Sequence, residues 1–252
     1  MEERGQRVAR VLALSELPIP SAELGVHAVF AFLEGEGLCE LRTSSSRSPR
    51  REDLAWADTL VLVRGASPGE RRLLREGRRL GRRVATYMDD DLEPVPRDAR
   101  SAYFFRSAAV RRSLALVLRE ADDLLVCSER LAEVLERRHG RATAMMRQPR
   151  PRTGGAAPVS CARGPVRIGF LGGEDHTGML DRLLAGPPQP LREEYPERVS
   201  FVFCGARPAV AEELGAERHE FLLDLAAWRE KASRLGVSIG LVEVGRESGG
   251  FE

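Results

Sequence analysis

Val166-Arg167-Ile168-Gly169-Phe170-Leu171-Gly172-Gly173-Glu174-Asp175-His176 is the stretch where a buried strand most plainly runs into a glycine turn and then a helix. The apolar residues Val166, Ile168, Phe170 and Leu171, held between Pro165 and the Gly172-Gly173 pair, predict a short central strand of a parallel sheet. Such a strand opens at its C-terminal end onto a ligand crevice. Two adjacent glycines there let the backbone come close to a phosphate. Asp175 is placed to cap a helix beginning near His176, whose free N–H groups favour an anion. The stretch is neither a GxGxxG nor a Walker loop, so a tight strand-to-helix turn without a ligand is also open on the local sequence.

A chain of 252 residues has room for one large or two small domains, and its 42% apolar share is that of an ordinary globular protein. The expectation is two domains. A net charge of +1 gives no general attraction to nucleic acid or to an anionic membrane. Lys231 is the only lysine, and the arginine-rich run from Arg71 to Arg83 reads as a solvated helix face. Cys39, Cys127, Cys161 and Cys204 are far apart, with no metal-ligand spacing; Cys127 and Cys204 lie in apolar runs and read as buried thiols. The opening Met1-Glu2-Glu3-Arg4 leads to no signal-peptide apolar region, and no apolar run approaches the length of a membrane span. The expected compartment is a reducing cytoplasm, with at most a peripheral association with a membrane.

Taken in order, Val8 to Leu14 predicts a first strand stopped by Pro18-Ile19-Pro20, and Ser21 to Leu33 a helix ended by Gly35 and Gly37. Leu38 to Leu41 reads as a short strand and Thr43 to Arg51 as a loop. Thr59 to Val63 is a strongly β-prone run, followed by a helix from Gly69 to Leu80. Val84 to Tyr87 is a further strand that delivers Asp89, Asp90 and Asp91 to the place where it must end. Mutual repulsion and desolvation raise the pKa of adjacent acids, so at least two of the three must meet solvent, a cation or helix N–H groups. One of them capping a turn is the structural reading; a carboxylate where substrates bind in parallel sheets is the functional one.

Ser101 to Arg119 predicts a helix, Leu124 to Cys127 a strand, and Ser128 the N-cap of a helix that runs to His139-Gly140. His139 fits the helix dipole rather than a catalytic role. A strand at Ala142 to Met146 closes an N-terminal domain at 1–147. Residues 148–164, dense in proline, glycine and arginine, read as a linker before a C-terminal domain at 165–252. In that domain a helix from His176 to Ala185, a proline-rich turn at 187–190, a strand from Val199 to Cys204, a helix from His219 to Leu235 and a strand from Val237 to Val244 continue the βαβ rhythm.

Four stretches carry a resemblance. Tyr87-Met88-Asp89-Asp90-Asp91-Leu92 is similar to the Tyr-x-x-Asp-Asp-acid signature of the first domain of GT-B glycosyltransferases of the family 4 kind. Ala121 to Ser128, Ile168 to His176 and Val237 to Leu241 resemble, in the expected order, further elements of that family. The resemblance implies an α/β fold of two Rossmann-like domains facing a cleft. It also implies transfer of a sugar from a nucleotide-sugar donor to an acceptor hydroxyl, with no cofactor and no required metal. It places Asp89 and Asp90 in the catalytic role of orienting or deprotonating the acceptor hydroxyl, and Asp91 on the acceptor side. Gly172, Gly173 and His176 fall by the donor. Residues 165–252 are fewer than a complete second domain of ~100–150 residues, so the expectation is an incomplete, truncated second domain, which a partner chain could complete. The family's nucleotide-gripping charges would lie beyond Leu241, with Arg246 the nearest candidate here. A non-catalytic interaction protein that keeps the fold is the alternative. A response-regulator-like metal pocket at Asp89 to Asp91 would need a lysine at a later strand end, where Lys231 is poorly placed.

Overall fold

A computed structural model describes residues 8–95, 102–147, 164–186 and 188–241, which fall into two compact units with one parallel sheet each. The first sheet is built from β1 (Ala9–Ser15), β2 (Cys39–Ser45), β3 (Thr59–Val63), β4 (Arg83–Met88), β5 (Asp123–Val126) and β6 (Ala144–Met145), in the order β2-β1-β3-β4-β5-β6. Its inner strands are apolar almost throughout because helices cover both faces. On one face Leu12, Leu14, Leu60 and Leu62 pack with Leu73 and Leu74 of α3 (Pro68–Arg79) and Val117 of α5 (Ala108–Glu120). On the other, Val11, Ala13, Val61, Val63, Ala85 and Tyr87 meet Ala22 and Val26 of a π-helix, Ser21–His27, and Val29 and Leu33 of α1 (Ala28–Gly35).

The strongly apolar strands stand where the sequence puts them; the polar elements differ. β2 runs on through Ser45, into a stretch that reads as loop, because an edge strand needs only a partner for its backbone, and Ala13 to Ser15 supply it. A helix α2 (Arg51–Trp56) follows. The segment expected as one helix up to Arg119 is broken at Ser107 into α4 (Ala102–Arg106) and α5. Ser67 and Glu70 form a reciprocal capping box at the start of α3, and the buried Glu70 carboxylate also accepts from Ser46 Oγ at 3.1 Å. Ser128 caps α6 (Glu129–His139) as expected, accepting from Leu131 N at 3.2 Å, and Gly140 ends the helix at φ 62.

The second sheet holds β7 (Val166–Gly172), β8 (Val199–Gly205), β9 (Glu217–His219) and β10 (Ile239–Gly240), all parallel, in the order β10-β7-β8-β9. Ile168, Phe170, Phe201 and Phe203 pack with Leu180 of α7 (Thr177–Leu183), and Val202 and Cys204 pack with Leu235 on the opposite face. Where the sequence suggests a proline-rich turn, residues 188–190 open α8 (Pro188–Glu194), proline being tolerated in a helix's first turn. α9 (Val210–Glu213) lies between β8 and β9. Where one helix was expected from His219, β9 ends at His219 and α10 (Leu225–Arg234) begins later, capped by Asp224 on Ala227 N at 2.7 Å. The linker apart from Gly164, Cys161, Arg246 and the strand expected beyond Leu241 lie outside the described residues.

One glycine in this sheet has a left-handed backbone. Gly205 has φ +85, and a Cβ there would stand 2.0 Å from the Gly172 carbonyl oxygen and 3.0 Å from Phe221 Cβ. Gly173 has φ −68, and a Cβ there would meet nothing within 4 Å. In urea unfolding followed by circular dichroism, Gly205→Ala is expected to lose ~3 kcal/mol or more, whereas Gly173→Ala changes stability by no more than ~0.5 kcal/mol.

Candidate substrate sites at two sheet edges

In the first sheet the strand order reverses between β1 and β3, so the connections leaving those strands diverge and open a crevice at their C-terminal ends. The chain leaves β1 through Pro18 and Pro20 into the π-helix, a form found disproportionately at functional sites. It leaves β3 through Arg64, whose φ of 65 makes it the one described non-glycine residue in the left-handed region, followed by Gly65 at φ 49. Holding a bulky residue there costs ~1–3 kcal/mol and needs compensation nearby. The compensation is electrostatic. Arg64 Nε donates to Asp89 Oδ1 at 2.8 Å, and Nη2 donates to Asp89 Oδ2 at 2.9 Å, Asp90 Oδ2 at 2.6 Å and Ser21 Oγ at 3.1 Å.

Burial works against ionised Asp89, but the paired bonds and charge of Arg64 outweigh it and hold the carboxyl below its usual range. Burial and the Asp89 charge push Asp90 up to about 7, against the pull of Arg64. Tyr87, fully buried two residues upstream, has an unpartnered hydroxyl and a phenol kept neutral by burial and by Asp89. Gly25 of the π-helix lies flat against it: a Cβ there would fall 2.2 Å from the Tyr87 oxygen. Cys127, which reads as buried, is half-buried and directs its thiol to the Asp89 carbonyl at 3.4 Å. Burial, then the Asp89 and Asp90 charges, raise that thiol's pKa.

Asp91 turns elsewhere. It is 4% exposed and accepts two hydrogen bonds, both 2.7 Å, from Arg138 in the last turn of α6. Arg138 also donates to Glu93 at 2.7 Å, and His139 contacts Glu93 at 2.9 Å. The three carboxylates therefore all meet a cation, as adjacent acids require, but Asp89 and Asp90 share one guanidinium and Asp91 has another. Neither arginine was singled out by the sequence reading. The available signal was Arg64 standing at the end of β3, the strand that pairs with β4.

In the second sheet the reversal falls between β7 and β10, at the end of β7 where Gly172 and Gly173 stand. A Cβ on Gly172 would strike the Phe170 ring at 2.6 Å, while the space over Gly173 is open. The helix expected from His176 is shorter than the sequence suggests: a 3-10 turn, Glu174–His176, precedes α7, and neither has a side-chain cap, so Asp175 is not the N-cap. His176 is half-buried with its ring against Phe170, centroids 5.3 Å apart. Next to it, Thr177 Oγ1 accepts from Arg207 N at 3.0 Å, which brings exposed Arg207, just past the end of β8, beside the turn. Arg207 was not among the sequence candidates. Among the described residues no group of three or more His, Cys, Asp or Glu is arranged to hold a metal ion, and no helix is long and apolar enough to cross a membrane.

Two open parallel sheets, each with a strand-order reversal at its C-terminal edge, define a Rossmann-like α/β protein of the GT-B kind. No family model and no curated protein matches the sequence. Among solved structures the chain is similar to a UDP co-structure of MnaA from S. aureus, at 10% identity over 94% of this chain and 75% of that one, with a TM-score of 0.51. It is also similar to an α-glucosyltransferase in complex with UDP and a 13-mer DNA, at 14% identity over 94% and 73%, with a TM-score of 0.56. At these identities the likeness establishes the fold.

Asp90 makes the first edge sensitive to pH. The folded chain keeps the Asp90 proton up to about pH 7, while an unfolded aspartate releases it near ~4. Between those values the folded state binds more protons, so this group's contribution to stability falls as pH rises through the window. Unfolding free energies at pH 5 and pH 8 are expected to drop less in Asp90→Asn than in the wild type; equal drops would contradict the burial of that carboxyl.

Proposed function

We propose that the protein is a glycosyltransferase that passes a sugar from a nucleotide-sugar donor, of the uridine diphosphate kind, to an acceptor hydroxyl. The observation that carries this reading is the pair of chemically different sheet edges, one with a poised carboxylate and one with an open glycine turn beside an arginine. The UDP held by both solved relatives supports the donor class.

On the acceptor side, Asp90 is the base. A carboxyl with a pKa near the working pH is suited to taking a proton, given a reach of about 3 Å to the acceptor oxygen. Asp89, kept ionised by Arg64, holds Arg64 in place and orients the acceptor with Ser21, while Asp91 anchors the segment after β4 through Arg138. On the donor side, Gly173 leaves room for a diphosphate against the backbone, His176 touches the donor sugar, and Gly172 lets the Phe170 ring close the floor of the turn. A leaving diphosphate needs positive charge in the transition state, and Arg207 supplies it. The reaction requires the two edges to meet over the substrates, in the interdomain cleft that the resemblance implies.

Three outcomes are expected. UDP raises the thermal unfolding midpoint of the wild type, and Gly173→Val or Arg207→Ala weakens that response by ~10-fold or more in apparent affinity. With a panel of UDP-sugars and hydroxyl acceptors, release of UDP falls ~100-fold or more in Asp90→Asn while UDP affinity is retained. His176→Ala lowers the rate; donor affinity and rate both unchanged would remove His176 from the site. Absence of any UDP response in the wild type would overturn the donor assignment.

A further inference from the structure

The Arg64 site is short of donors and of positive charge. Arg64 Nη2 has two N–H groups, yet three oxygens stand within 3.1 Å of it: Asp89 Oδ2, Asp90 Oδ2 and Ser21 Oγ. Among the described residues no hydrogen bond reaches the other Asp90 oxygen, Oδ1, and Arg64 is the one cation paired with Asp89 or Asp90. One guanidinium therefore faces two carboxylates, both side chains less than one-fifth exposed.

A second, independent shortage lies in the same wall. The Tyr87 hydroxyl is fully buried without a partner and rests against Gly25. In a π-helix, with its i→i+5 bonding, Ser21 and Gly25 are about one turn apart on one face. The orphaned hydroxyl and the crowded Arg64 guanidinium thus line the same face of the same helix. A buried hydroxyl left unpaired costs ~1–3 kcal/mol.

We infer that the acceptor taken by this site carries a protonated primary amine. The inference rests on the reading of this edge as the acceptor side and adds the acceptor's chemical class. An ammonium brings three N–H donors, no acceptor and one positive charge, which matches the Asp90 Oδ1 without a donor, the Ser21 Oγ that competes for Arg64 Nη2, and the lone pairs of the Tyr87 oxygen. A neutral hydroxyl acceptor brings one donor and no charge. Without ligand, the proton that Asp90 retains to about pH 7 supplies the missing charge; an ammonium takes its place and leaves Asp90 ionised.

The test uses the full chain and three probes that differ at one position, glucosamine, glucose and N-acetylglucosamine, in isothermal titration calorimetry at pH 6.5. Glucosamine is expected to bind ~10-fold or more tightly than either neutral sugar, and Asp90→Asn to reduce that preference to within ~2-fold. Equal affinities for the three sugars in the wild type, no measurable glucosamine binding, or a preference undiminished in Asp90→Asn would each overturn the inference. The wild-type comparison does not depend on how the variant folds. UDP-induced stabilisation, measured on the same samples, separates the two readings: a UDP response without amine preference sinks the amine assignment alone, and amine preference without a UDP response sinks the donor assignment alone.

Discussion

Three consecutive carboxylates end β4, and the rest of the first unit's C-terminal edge depends on how their charge is met. Solvent could have taken them; instead all three are largely buried, and two guanidiniums from distant elements reach in. Arg64 arrives from the end of the neighbouring strand by entering the left-handed region, and Arg138 arrives from the last turn of α6. Buried ion pairs of this sort contribute little net stability, because desolvation offsets most of the attraction, but removing one partner leaves an uncompensated charge. Their effect is to specify arrangement. They tie the ends of β3 and β4 to the π-helix on one side and to α6 on the other, while the charge at Asp89 and Asp90 is incompletely balanced.

Parallel topology explains why chemistry collects at such edges. Every strand of a parallel sheet ends on the same side, and where strand order reverses, neighbouring connections part and leave backbone and side chains open to a ligand. Both sheets here contain one such reversal, between β1 and β3 and between β7 and β10. The two are furnished differently. The first has carboxylates, a strained arginine and an orphaned tyrosine hydroxyl; the second has glycines, a histidine packed on Phe170 and an exposed arginine. The proposed base lies at the former and the proposed diphosphate site at the latter, as the charges at the two edges favour.

What could be read from the chain follows from how each element is held. Thr59–Val63 and Val199–Gly205 are legible because burial on both faces demands an unbroken apolar run, and little else in a sequence looks like that. β2 and β9 are edge strands with polar residues, stabilised by one neighbour's backbone, so their side chains carry almost no signal. The π-helix was read as an ordinary helix because apolar spacing over seven residues does not separate the two periods. Asp89 to Asp91 announced themselves as a local cluster, whereas Arg64 and Arg138 lie 25 and 47 residues away from their partners and become visible only through strand register and the placing of α6. Arg207 was hidden for the same reason: its nearness to the Gly173 turn comes through Thr177, 30 residues earlier.

The glycines separate what the fold needs from what it leaves free. Gly205, at φ +85 against the Gly172 carbonyl, and Gly25, flat against Tyr87, are demanded by their surroundings, and Gly172 by the Phe170 ring. Gly173 is not: its backbone is one any residue adopts, and the space where its side chain would sit is empty. Open space alone carries little weight, since exposed Gly186 and Gly240 have it too. At a strand-order reversal, between a histidine turn and the end of a central strand, the same emptiness acquires meaning, because this is where a phosphate would have to approach the main chain. The residue that packing does not explain stands at the position where topology admits a ligand.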